Sequence, residues 1–230
     1  MFDALRQHYE SLAMVPLRVE CHLADDAVLS DPLHLDALLS YAVVHRETRG
    51  AMLPNNNDYI YIPLPLRSLW FSRQGVPLWA STDFEPEPGA VHSVRYWHRR
   101  GLEPHMSHKN LRPGIGPYKD RRTPMQTVGG VLYADAIGNP EEIAALLSLI
   151  SAVGKKRVSA GAVSHWRVYE ITSFALIDDH NRSRRPIPGA YFVEQGDFSL
   201  GGDYHLIGFS PPYWHAATRA LCVPAGAACG

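Results

Sequence analysis

Gly154-Lys155-Lys156-Arg157-Val158-Ser159-Ala160-Gly161 sets three consecutive cations between two glycines. Cations neutralise phosphate, glycine lets a backbone approach a ligand closely, and exposed amide N–H groups add donors. The chemistry on offer is a non-covalent grip on a phosphate backbone. A plainer reading covers part of the run: Gly154 ends a helix and Lys155 complements its dipole. It leaves Lys156, Arg157 and Gly161 unexplained. The run is expected to follow a helix and lead into a strand, so it is no Walker A motif, and ATP binding is not expected.

A second collection of charge lies at residues 95–122. Arg95, Arg99, Arg100, Lys109, Arg112, Lys119, Arg121 and Arg122 are eight cations there, opposed only by Glu103 and Asp120. The whole chain of 230 residues carries a net charge of −1, so attraction for an anion must be local. His98, His105 and His108 add donors, and Tyr96, Trp97 and Tyr118 add rings on which bases can stack. A charge run alone is more often a solvated loop. The length, glycines and interleaved rings of this one turn the reading toward an RNA-contacting arm. Arg182-Ser183-Arg184-Arg185 reads as a solvated turn.

Covalent chemistry has thinner support. Twelve histidines include no H-E-x-x-H, and three cysteines form no C-x-x-C. His215, Cys222 and Cys229 have no recognised zinc spacing, and Cys229 reads as part of a frayed tail. Cys21 lies in mid-strand, a poor place for a nucleophile. A metal-free ribonuclease would need a base, an acid and a cation. His34, in the first turn of a predicted helix, and His45, three turns on, are its candidates, with Tyr41 and Lys155 to assist. The plainer reading is a polar first-turn residue and a dipole-complementing C-terminal one. Asp25-Asp26 and Asp178-Asp179 read as turn residues rather than metal ligands. No metal and no cofactor is expected.

The elements that must hold these groups follow from periodicity. Val15, Leu17, Val19, Cys21 and Leu23 alternate with polar residues and predict a half-buried strand. A helix follows, with Asp31 as cap, Pro32 in its first turn, and Leu35, Leu38, Leu39, Ala42 and Val43 on one face. After the turn cluster Asn55-Asn56-Asn57-Asp58, Tyr59-Ile60-Tyr61-Ile62 predicts a second strand, closed by Pro63 and Pro65. Residues 76–84 and 91–97 are further strand candidates. Periodicity is lost over 101–125 and resumes with a strand at 127–134. Asn139-Pro140-Glu141-Glu142 opens a second helix with Ile143, Leu146, Leu147 and Ile150 inward and Gly154 at its end. A strand at 163–171 completes β-α-β-β-α-β. The predicted class is α+β: a ferredoxin-like, RRM-like domain over 1–175, with an inserted basic arm at 95–126. A small β-rich extension over 176–230 has strands at 190–194 and 205–209 around Gly201-Gly202. A hydrophobic share of 46% and a charged share of 20% describe a folded chain. The odd cysteine count suits a reducing compartment, and neither a signal peptide nor a membrane span is visible. The expected location is the cytoplasm.

Together these pieces resemble the RAMP proteins of CRISPR systems, in the ferredoxin-like order, the glycine-rich basic loop between second helix and following strand, and the inserted arm. The run Leu29-Ser30-Asp31-Pro32-Leu33-His34-Leu35-Asp36-Ala37-Leu38-Leu39-Ser40-Tyr41-Ala42 is similar to the first helix of the Cas-five-like (Csf-type) subunit of type IV systems. Gly154 to Arg157 with Gly161 and Trp166 resembles that family's G-loop and strand, and Ser210-Pro211-Pro212-Tyr213-Trp214 its C-terminal segment. Val158-Ser159-Ala160 before Gly161 departs from the commoner loop pattern. The resemblance spans roughly residues 15–223. It implies a non-catalytic subunit that holds the 5′ handle of crRNA and caps a filament of Cas-seven-like backbone subunits. It also implies contact with a Cas-eight-like large subunit, near the PAM-proximal duplex of target DNA. Lys155, Lys156 and Arg157 would then touch handle phosphates, and the 95–122 arm would clamp RNA or the neighbouring subunit. Because one relative cleaves precursor RNA, a metal-independent endoribonuclease stays as the alternative. A generic module that binds an acidic protein through its arm is a third possibility.

Overall fold

Leu17, Val19 and Cys21 are fully buried on one side of β1 (Val15–Leu23), while Arg18, Glu20 and His22 are only partly covered on the other. That alternation places β1 at the centre of a sheet with one face on the core. The structure is a computed structural model. It describes residues 2–29, 31–51, 58–88, 90, 92–99, 121–154, 160–196 and 203–229, with the backbone alone at 92, 95–99 and 121–124. β8 (Val131–Gly138) and β9 (Val163–Glu170) flank β1, both antiparallel, with Val19 opposite Ala134 and Val168. β5 (Glu85–Pro86) pairs antiparallel with the outer edge of β8, giving the order β5-β8-β1-β9.

Two helices bury the inward face of this sheet. α2 (Leu35–Glu47) contributes Leu35, Leu39, Ala42 and Val43, and α3 (Pro140–Leu147) contributes Ile143, Leu146 and Leu147. Asn139 caps α3 by accepting a hydrogen bond from the Glu142 N–H at 3.0 Å. A further helix, α1 (Asp3–Glu10), buries Tyr9 in the same core. β2 (Ala27–Leu29) continues from β1 into a separate sheet, β2-β7-β6, built with β6 (His92–Arg99) and β7 (Arg121–Val128).

A second core gathers Leu176, Ile187, Phe192, Phe209, Cys222, Val223 and Cys229. It also takes Leu78, from the hairpin of β3 (Ser68–Phe71) and β4 (Pro77–Trp79), and Val76 from the turn between them. Its sheet runs β10-β12-β11, made of β10 (Ile187–Pro188), β12 (Arg219–Val223) and β11 (His205–Gly208). The α+β class expected from the sequence is what the chain has. No helix among the described residues is long and apolar enough to cross a membrane.

Several expectations are corrected. Residues 59–62 belong to no strand; Ile60, Tyr61 and Ile62 pack on the core as irregular chain. The strand expected over 127–134 is two strands of two sheets, separated at Gly129-Gly130, where Gly130 has φ +77°. α2 begins at Leu35 with His34 at its N-cap, so Asp31 and Pro32 precede the helix and neither caps it. α3 ends at Leu147, seven residues before Gly154. Residues 189–194 form the helix α4 (Gly189–Glu194), because Phe192 enters the second core. Cys229 is buried rather than frayed, its N–H bonded to the Asn181 carbonyl at 2.8 Å. Arg185 is 1% exposed, so residues 182–185 are no solvated turn.

Candidate functional site

The ends of the glycine-bracketed run are fixed to the chain's own backbone. Val153 N–H donates to the Gly161 carbonyl at 2.8 Å, and Gly161 N–H to the Asp26 carbonyl at 3.0 Å. Ala162 N–H donates to Asp25 Oδ1 at 2.6 Å, and Ala24 N–H to the Ala162 carbonyl at 2.8 Å. Asp25 is thus the turn residue the sequence suggests. Gly161 has φ +79°, and a Cβ there would lie 2.1 Å from the Val153 carbonyl oxygen. Gly154 has φ +82°, and its Cβ would lie 2.8 Å from the Val28 oxygen. The two glycines therefore make room for the protein's own backbone, which corrects their reading as room for a ligand. Lys155, Lys156 and Arg157 lie between them, outside the described residues.

β2, against which Gly154 packs, is also the neighbour of the basic hairpin. Ala27 pairs with Val128 of β7, and Val128 pairs with His92 of β6. From that base the hairpin runs eight residue pairs, about 26 Å, to Arg99 opposite Arg121, with His98 opposite Arg122. Arg95 pairs with Met125 on the way. Arg100, Lys109, Arg112, Tyr118 and Lys119, with the rest of 100–120, lie outside the described residues. Gly154, just before the run 155–157, and the base of the β6–β7 pair thus both adjoin β2, an arrangement their separation in sequence does not reveal.

The histidine candidates sit elsewhere. A groove of about 1400 Å³ runs along α2 and is lined by His34, Tyr41 and His45, with Tyr59, Trp214 and His215 facing them. His34 Nδ1 bonds Asp83 Oδ1 at 2.5 Å, and its ring stacks on Tyr213 with centroids 3.8 Å apart and planes 8° apart. A carboxylate only accepts, so Nδ1 carries the proton and Nε2 is the ring nitrogen left over. His45 is eleven residues further along the helix, about 16 Å in rise. The two cannot flank one phosphodiester as acid and base. Among the described lining residues there is no Lys or Arg, and Asp31 and Asp58 are the carboxylates.

Beneath the groove lies a charge pair absent from the sequence reading. Arg185 Nη2 donates to Asp36 Oδ2 at 2.9 Å and to the Phe209 carbonyl at 2.6 Å; Nη1 donates to the carbonyls of Trp79 and Ser81 at 2.9 and 3.1 Å. Tyr213 donates its hydroxyl to Asp36 Oδ1 at 2.8 Å. Burial pushes the Tyr213 phenol well above its ordinary range, outweighing the opposing pull of Arg185. Burial alone would lower Arg185, yet Tyr213 and Asp36 hold its guanidinium above the usual value. This network joins α2 to the second core, and its partners are 149 residues apart in the Arg185–Asp36 case.

The remaining candidates fall to structural roles. Burial raises the Cys21 and Cys222 thiols to about 12, away from the thiolate a metal or nucleophile needs. His215 Nδ1 accepts from the Ala217 N–H at 3.1 Å. No group of three potential metal ligands occurs among the described residues. Asp178 Oδ1 accepts from the N–H groups of His180 and Arg182 at 3.0 and 2.7 Å, a turn as expected. Comparison with family models and with curated proteins returns no match for this chain.

Proposed function

We propose that the protein is an RNA-binding structural subunit of a type IV CRISPR ribonucleoprotein, a RAMP of the Cas-five-like kind that holds the crRNA 5′ handle. The reading is carried by two attachments to β2: Gly154, after which the run 155–157 begins, packs on it, and β7, at the base of the arm, pairs with it. Support for a ferredoxin-like frame comes from the order β5-β8-β1-β9, with α2 and α3 on one face and all neighbours antiparallel. On this reading Cas-seven-like and Cas-eight-like subunits are the protein partners, and target DNA lies near the PAM-proximal side.

The runner-up is a metal-independent ribonuclease, favoured by the His34–Asp83 pair on the groove. It lacks a described cation beside that histidine to stabilise a phosphorane-like transition state. One experiment separates the two. The purified protein is incubated with CRISPR repeat RNA in EDTA, and binding and cleavage are followed over a salt series. The RNA-holding reading expects binding without cleavage. It also expects Lys155, Lys156 and Arg157 replaced together by Ala to flatten the slope of log affinity against log salt by about 2. Cleavage lost in His34→Ala would overturn it, and so would binding indifferent to salt.

A further inference from the structure

The face of the β5-β8-β1-β9 sheet turned away from α2 and α3 carries a second histidine arrangement, which has no part in the groove. His22 of β1 and His165 of β9 are directly opposite each other in the antiparallel register. Their rings stack with centroids 4.0 Å apart and planes 15° apart. His22 Nε2 bonds Glu20 Oε2 at 3.0 Å, and the Tyr169 hydroxyl donates to Glu20 Oε1 at 2.7 Å. Glu20 therefore fixes the His22 ring from the strand beneath it. His165 is exposed, and Arg167, two residues on, has 63% of its side chain exposed, with Nη1 3.6 Å from Glu20 Oε2 and its guanidinium 4.7 Å from the centre of the Tyr169 ring.

The position of this pair gives it a meaning. His165 follows Ala162, the residue pinned by Asp25, by three residues, about 10 Å along a strand. His22 is one residue before Leu23, whose N–H bonds the Gly130 carbonyl at the entry to β8. The stack thus stands at the end of the sheet where the run Lys155-Lys156-Arg157 leaves and returns. Flat rings on an open sheet are what an unpaired base stacks on, and the stack tolerates any base because every base has a π face. The groove along α2, with no Lys or Arg among its described lining residues, offers no such pairing of ring and charge.

We propose that His22 and His165 form a stacking platform for one unpaired base of single-stranded RNA, with Arg167 alongside its phosphate. The proposal rests on the RNA-holding reading above and adds a base-contacting site to it. His165 supplies the outer ring, and Glu20 and Tyr169 are positioning residues that act through His22.

The test uses the full chain and a fluorescein-labelled single-stranded RNA of mixed sequence, with anisotropy read over a salt series. His165→Phe keeps a ring, and His165→Asn keeps polarity without one. The platform expects His165→Phe to bind within about twofold of the wild type and His165→Asn about tenfold more weakly, at the same salt slope. An RNA with abasic positions throughout should erase the difference between the two variants. Equal affinities of the Phe and Asn variants for the intact RNA, with salt-sensitive wild-type binding, would overturn the platform and leave the RNA-holding reading standing. Wild-type protein that binds no RNA at low salt would overturn both. Both substitutions are on an exposed strand position, and an unchanged urea midpoint shows that the fold is kept.

Discussion

Two stacked histidines in one chain serve opposite surroundings. His34 lies on Tyr213 at 3.8 Å, above a buried arginine whose hydrogen bonds all point inward, in a groove without a described cation. His22 lies against His165 at 4.0 Å on the outer face of the sheet, where His165 is exposed three residues past Ala162. Ring geometry is nearly the same in both. What differs is where the positive charge goes. Around the groove Arg185 is buried and consumed holding the chain together, whereas on the sheet face Arg167 keeps 63% of its side chain exposed. A histidine's surroundings, more than its own stacking, decide which chemistry is open to it.

The largest effect expected of any single substitution falls on the groove side. Arg185→Ala leaves Asp36 charged and buried without its partner, a change that costs about 3–5 kcal/mol of folding stability. Urea unfolding followed by circular dichroism reads it. Asp36→Leu combined with Arg185→Met removes both charges, and the double variant should lose less than Arg185→Ala alone. A loss under about 1 kcal/mol for Arg185→Ala would mean the pair does not tie α2 to the second core, and the contrast between the regions would collapse.

Next in size is Gly161→Ala, which asks whether the glycines at the sheet end serve the fold or a ligand. A Cβ at this position, 2.1 Å from the Val153 oxygen and at φ +79°, forces backbone to move. The expected loss is about 2–3 kcal/mol in the same urea measurement, with RNA present or absent. Full stability with weakened RNA binding alone would restore the ligand-approach role that the sequence suggested.

The sequence was legible where one short segment carries its own signal. The alternation from Val15 to Leu23 and the 3.6-residue faces of α2 and α3 all mark elements that the fold contains, because burial on one side is a local pattern. Phe2, Leu5, Tyr9 and Leu12 hold the same helical spacing, a local signal of α1. Tyr59 to Ile62 misleads because β-prone side chains do not make a strand without a partner edge, and Pro63 and Pro65 have no N–H to extend a ladder. Residues 189–194 look strand-like in composition, yet packing of Phe192 in the second core favours a helix. The sites were less readable. Charge counting marks the cationic segments, but not that Gly154 and β7 both lie against β2. Nothing near Arg185 hints at Asp36, and neither His22 nor His165 has a neighbour in sequence that announces the other.

The smallest expected effect concerns Asp135, which lies between the two regions. Its Oδ1 accepts from Arg18 Nε at 2.7 Å and its Oδ2 from Arg184 Nη1 at 2.8 Å, so it ties β1 and β8 to the residue next to Arg185. Burial pushes this carboxyl up, but the hydrogen bonds and charges of Arg18 and Arg184 outweigh burial and hold it below the usual carboxylate value. A depressed carboxyl stabilises the fold at every pH above its unfolded value, about 3.9, and the contribution is lost as pH falls through the folded one. Wild-type stability should therefore decline below about pH 4, with part of the decline belonging to Asp135. Asp135→Asn should be less stable than wild type at pH 7, and the gap should narrow as the pH falls through the folded value and the wild-type carboxyl also becomes neutral. Urea midpoints measured at several pH values give both curves. Parallel curves over the whole range would mean that Asp135 is not held as a charge, and that Arg184 belongs with the exposed cations instead of with the buried arginine beside it.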